Sequence, residues 1–257
     1  MKFKKLLLAT TASLMLLSTA ASADITRIGI ATEPYPPFSV PDAAGNYNGW
    51  EIEIANAVCA AAKLECEIVA SAWDGIIPSL KAEKIDVIAA SLSVTAARLK
   101  VIDFSNKYYQ TGAALIGAAN SSIAPTAAGV GGKTIGIQSA SIHQAYAAKH
   151  FPDASIREYQ SQDEANQDLF AGRIDATLAD VLTLDAFLAS EEGQACCKLL
   201  GIAKNDVEIL GEGIGFGLRK GNDELKAKLN AAIDQIRSDG TYAKISAKYF
   251  DFNIYGD

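Results

Sequence analysis

Histidine is almost missing from this chain: His143 and His150 are the only two. Four cysteines with no histidine beside them leave no ligand set for a nitrogen–sulfur metal centre. Basic residues are also in deficit, with 23 Lys and Arg against 30 Asp and Glu and no basic cluster. That balance argues against nucleic acid and anionic membrane surfaces as partners. Beyond residue 23 no apolar run approaches the roughly 20 residues that a helix needs to cross a bilayer. No nucleophile–base pair, metal cluster or Gly-rich phosphate loop is present, so no cofactor is expected.

What is present begins with "MKFKKLLLATTASLMLLSTAASA", in which Lys2, Lys4 and Lys5 precede an apolar run and Ala21-Ser22-Ala23 closes it. This pattern predicts a secretory signal peptide over 1–23, cleaved before Asp24. The mature chain of 234 residues then carries a formal charge of −10, since the segment removed holds three lysines and no acids. Export invites disulfides. Cys59 and Cys66 lie across the end of a helix reading "EIEIANAVCAAAKLE", and a bond between them is expected to pin that helix to the next strand. Cys196 and Cys197 are adjacent, and either a strained ring or two free thiols fits them.

The chain also contains one unit written twice. "WDGIIPSLKAEKIDVIAAS" from Trp73 and "QDEANQDLFAGRIDATLAD" from Gln162 share a helix, a basic-Ile-Asp turn and a short buried strand ending at a polar residue. A further strand precedes each, "TRIGIAT" at Thr26 and "KTIGIQS" at Lys133. Two α/β lobes with mainly parallel sheets follow, residues 24–110 with 212–257 forming the first and 111–211 the second. The stretches "YYQTGAALIGAANSS" and "GEGIGFGLRK" read as two crossings between the lobes, a hinge. In such sheets ligands sit beyond the carboxyl ends of strands, which places the site between the lobes.

The residues at those ends carry suitable chemistry. Thr95 reads as a helix N-cap, and three residues on, Arg98 stands where a capping box would have an acid. A cation there opposes the helix dipole, so Arg98 either meets an anion, with backbone N–H groups near Ser93 sharing it, or is a solvated surface residue. Ser141 reads as another N-cap, able to offer free N–H groups or simply to cap. Asp180 follows a buried strand and is either a cap or the counter-ion of an ammonium group. Tyr35 and Trp73 lie in strand-to-helix loops, placed to sandwich a ligand side chain or to pack in the core. Glu33 either pairs with a basic ligand group or is an exposed loop acid. An anion site on one lobe and a cation site on the other describe the two ends of an α-amino acid.

"IPSLKAEKIDVIAASLSVTAARLKVIDFS", "GLRKGNDELKAKLN", "DGTYAKISAKYFDFNIYGD" and the Cys59/Cys66 pair together resemble the periplasmic polar-amino-acid-binding proteins of ABC importers. The resemblance covers essentially the whole mature chain. It runs nearest to the lysine/arginine/ornithine and histidine binders and extends to the opine binders. It implies two α/β lobes that close on an amino acid, a periplasmic monomer and an inner-membrane ABC permease as partner. By position it implies that Arg98 and Ser93 hold the carboxylate, Asp180 and Ser91 the ammonium, with Ser141 joining and Tyr35 and Trp73 flanking the side chain.

Several positions depart from that pattern. Thr32 stands where basic-amino-acid binders usually carry an acid, and Glu33 follows it. Ala90 replaces a serine, while Gln138 and His143 replace leucine and glutamine; His143 therefore joins the candidate ligand-binding set. Trp73 is similar to the opine and arginine-type variants. A ligand bulkier or more polar than lysine, such as an opine, is compatible with these changes. The alternative is an exported enzyme on the same scaffold, similar to cyclohexadienyl dehydratases, for which Glu33 is the one strand-end glutamate available as a general acid.

Overall fold

A computed structural model describes residues 25–256, and the signal peptide expected at 1–23 lies outside the described residues. In chain order the strands are β1 Thr26–Ala31, β2 Val40–Pro41, β3 Tyr47–Asn48, β4 Cys66–Ser71, β5 Val87–Ile88 and β6 Asp103–Tyr109. They continue with β7 Ala113–Ala118, β8 Thr134–Gln138, β9 Ser155–Tyr159, β10 Ala176–Asp180, β11 Cys197–Ile202 and β12 Ile214–Leu218. Two five-stranded sheets result, ordered β4-β1-β5-β12-β6 and β11-β7-β10-β8-β9, with β2 and β3 as a small separate pair. Each sheet is covered by helices, which makes two α/β lobes.

The sheets are mixed rather than mainly parallel. β1 runs parallel to β4 and β5, and β8 runs parallel to β9 and β10. β12 is antiparallel to β5 and β6, and β7 is antiparallel to β10 and β11. The reason lies in the crossings. β7 and β12 are the strands by which the chain enters a lobe from the other one, so they start at the cleft and run away from it. The remaining strands of both sheets run toward it.

The repeated turn has a physical role in both lobes. Gly29 in β1 faces Ile85, and Gly136 in β8 faces Ile174, so closely that a Cβ at either glycine would collide with the isoleucine. The aspartate that follows each isoleucine then binds the first strand's backbone. Asp86 accepts from the N–H of Arg27 at 3.0 Å, and Asp175 accepts from the N–H of Thr134 at 2.8 Å. In the first lobe Asp86 also holds the side chains of Arg27 and Arg219. Partial burial works to raise its carboxyl, but the two guanidinium groups bring it down to about 2.

Alternation along the strands gives each sheet two apolar faces. Val87 joins a cluster with Trp50, Ile54 and Phe216, while Ile88 joins Ile76, Leu80 and Ile85 on the opposite side. The long helix Asp223–Ser238 buries Leu229, Ala232, Ile233 and Ile236, the spacing of one helical face, against the first of these clusters. The chain therefore returns to its first lobe.

Cys59 and Cys66 are bonded, with Cα atoms 6.3 Å apart, tying helix Trp50–Ala61 to β4. Cys196 and Cys197, open between ring and free thiols on sequence grounds, are joined to each other. Replacing Cys59 and Cys66 by alanine is expected to cost about 2–3 kcal/mol, the chain-entropy value for so short a loop. Urea unfolding of the double variant checks this, and an unchanged midpoint would contradict it.

Candidate functional site

The carboxyl ends of the cleft-directed strands meet in one pocket between the lobes, and all nine candidate residues line it. Glu33, Tyr35, Trp73, Ser91, Ser93 and Arg98 come from the first lobe. Ser141, His143 and Asp180 face them from the second. Glu51, Gln138 and Ser39 contribute to the lining as well.

Arg98 sits in a helix of one turn, Ala96–Leu99, with Thr95 as N-cap accepting from the Arg98 N–H at 3.2 Å. So short a helix has little dipole to oppose the charge, and the conflict read from sequence is correspondingly small. Its guanidinium donates to the Ser93 carbonyl at 3.1 Å and lies 5.7 Å from the Trp73 ring centroid. No carboxylate pairs with it among the described residues. Burial lowers its pKa to about 10, partly offset by the charge of Asp180, so it stays cationic at neutral pH.

Asp180 ends β10 and precedes helix Val181–Leu188, yet its side chain does not cap that helix. Instead the buried carboxylate accepts from the Tyr35 hydroxyl across the cleft at 2.6 Å. Burial, with Asp180 beside it, raises the Tyr35 phenol well above its ordinary value, so it remains a donor. A second bridge runs from the Trp73 indole to the Ser139 carbonyl at 3.1 Å. The backbone N–H of Trp73 also donates to Glu33 at 3.0 Å, which holds that carboxylate at the pocket wall.

Ser141 occupies the N-cap position of helix Ile142–His150, but its hydroxyl does not cap and, though buried, has no hydrogen-bond partner among the described residues. His143, on the first turn of the same helix, is 5% exposed. Its Nε2 lies 3.5 Å from Asp180 Oδ1, within ion-pair range, and makes no hydrogen bond among the described residues.

Glu51 is the residue that sequence reasoning missed. An acid on the first turn of a helix reads as a partner for the dipole, and no signal in the chain says that it turns inward. In the structure it is buried and accepts from the Ser91 N–H at 2.7 Å, from the Ser91 hydroxyl at 3.2 Å and from the Tyr108 hydroxyl. Burial raises its carboxyl above the usual range, against the pull of these hydrogen bonds. Those bonds also hold Ser91 in the left-handed conformation, φ 51°, that few residues other than glycine adopt.

The pocket thus sets a buried unpaired cation on one lobe against a buried carboxylate on the other, with aromatic walls between. Residues 27–252 match the family described as bacterial extracellular solute-binding proteins, family 3. The chain belongs to that family. It is 40% identical over 259 aligned positions to the L-arginine-binding protein of Pseudomonas aeruginosa, covering 100% of this chain and 99% of that one. It is 42% identical over 249 positions to the lysine/arginine/ornithine-binding periplasmic protein of Escherichia coli, covering 94% and 95%. Among solved structures, an ancestral arginine-binding protein bound to arginine superposes with a TM-score of 0.79 at 33% identity, covering 88% of this chain and 98% of that one. These relatives are binding proteins, and this family 3 member is a solute-binding protein rather than an enzyme. No helix among the described residues is long and apolar enough to cross a membrane.

Proposed function

We propose that the protein is an exported receptor that captures a polar amino acid with a long basic side chain, or an amino-acid conjugate such as an opine. It works in the periplasm as a monomer, after cleavage of residues 1–23, and delivers its ligand to an ABC permease of the inner membrane. The observation that carries this reading is the placing of Arg98 and Asp180 on opposite sides of the cleft, unpaired with each other. Arg98 is a buried cation with no carboxylate of its own, a costly arrangement unless an anion completes it. Asp180 is the matching counter-ion for an ammonium group on the other side.

A ligand carrying both charges touches both lobes, and only such a ligand favours the closed state strongly enough to shift the population toward it. The lobes turn about residues 110–112 and 203–213, where the chain passes between the sheets. Trp73 covers the ligand side chain, and Glu33 at the pocket wall answers its distal cation while opposing a distal carboxylate. Thermal-shift and calorimetric titrations with arginine, lysine, histidine and glutamate test the reading. At least one basic ligand is expected to raise the melting temperature at concentrations above its Kd, and glutamate is expected to bind weakly. Stabilisation by glutamate and by none of the three basic amino acids would overturn it.

A further inference from the structure

Ser91 reaches the pocket with both of its donors already used. Its backbone N–H donates to Glu51 Oε1 at 2.7 Å and its hydroxyl to Glu51 Oε2 at 3.2 Å, while the Tyr108 hydroxyl donates to Oε1 as well. Glu51 and Ser91 are both buried, and both line the pocket. A serine hydroxyl can donate or accept, so by itself it would suit a carboxylate as well as an ammonium group. An ionised carboxylate only accepts, and that fixes the direction of the bond. The Ser91 proton is turned to Glu51, and what the hydroxyl has left for a ligand is lone pairs.

The device is complete within the first lobe. Glu51 stands on helix Trp50–Ala61, Tyr108 in β6, and Ser91 shortly after β5. The Ser91 oxygen is therefore aimed whether or not the lobes have met.

Resting on the amino-acid reading of the site, we infer that Glu51 is the positioning residue for the ligand amine. It acts through Ser91, whose side-chain oxygen it makes an obligatory acceptor. The two ends of an amino acid are thereby told apart on one lobe, since the Arg98 side chain offers only donors and the Ser91 side chain only lone pairs.

Glu51→Gln reverses the arrangement at nearly constant shape. Oε1 faces two donors, so the amide oxygen belongs there and the NH2 group takes the place of Oε2. That group donates to Ser91, and the Ser91 proton then points at the ligand amine.

Calorimetry on the exported protein with arginine and its des-amino analogue, 5-guanidinopentanoate, tests this. Glu51→Gln is expected to weaken arginine about 10- to 100-fold, the worth of a hydrogen bond to a charged group, and to change the analogue less than about threefold. Ser91→Ala, which leaves Glu51 in place, should do the same. Adding Glu51→Gln to Ser91→Ala should cost arginine less than about a further threefold, because no oxygen is left to aim. Equal losses for both ligands in Glu51→Gln, or an unaltered arginine affinity, would overturn the positioning role while leaving the amino-acid reading intact. A full further loss in the double variant would also overturn it, by showing that Glu51 acts through its charge alone. Arginine binding the unaltered protein no tighter than its analogue would overturn the amine site itself, and this role with it.

Discussion

Arg98→Ala is expected to abolish tight amino-acid binding while leaving the protein folded. Among the described residues that line the pocket, only this guanidinium can grip a carboxylate through two parallel hydrogen bonds. Removing it leaves the ligand's charge buried and unanswered, a loss of about 2–5 kcal/mol, or roughly 30- to 4000-fold in Kd. The fold has little reason to suffer. Arg98 makes one side-chain hydrogen bond, to the Ser93 carbonyl, and the Thr95 cap acts on its backbone N–H, which alanine retains. Alanine is also the best helix former. Calorimetry with circular dichroism reads both halves of the expectation. Unaltered affinity in the folded variant would remove Arg98 from the site.

The second large effect belongs to Asp180→Asn. The substitution keeps the shape and leaves an amide oxygen to accept from Tyr35, but it removes the charge opposite the ligand amine. Arginine should lose about 1.5–3 kcal/mol. Its des-amino analogue, 5-guanidinopentanoate, has no ammonium group to lose and should bind the variant at least as well as the unaltered protein. Comparing the two ligands on both proteins isolates the ammonium contact from any general damage. A parallel loss for both ligands would show that Asp180 holds the lobe together and not the amine.

The two-lobed architecture could be read from the chain because it is repeated there. The basic-Ile-Asp turn follows its helix at the same offset in both copies, which makes the repeat visible, although its partner on the first strand lies 59 residues away in one lobe and 41 in the other. Strand direction was not legible in the same way. Whether β7 and β12 run with or against their neighbours depends on the side from which the chain enters a lobe, which is a property of connection and not of composition. In the site, Arg98 stood out because its charge conflicted with its local context. Glu51 did not, because its context, the first turn of a helix, suits an acid whether it faces water or the cleft. Ser141 shows the opposite limit: the sequence marks a cap position, and the buried hydroxyl there does not cap.

The Tyr35–Asp180 hydrogen bond has a consequence for selectivity. It joins the two lobes through protein atoms alone, and so adds the same increment to closure whatever molecule lies between them. An increment common to all guests lowers the threshold that each must reach, and it cannot by itself tell one guest from another. Discrimination is left to groups whose contacts differ from guest to guest, Glu33, Trp73 and His143. A receptor wired in this manner gains breadth from Tyr35: Tyr35→Phe should narrow the range of molecules that can shut it, with the weakest guests lost first.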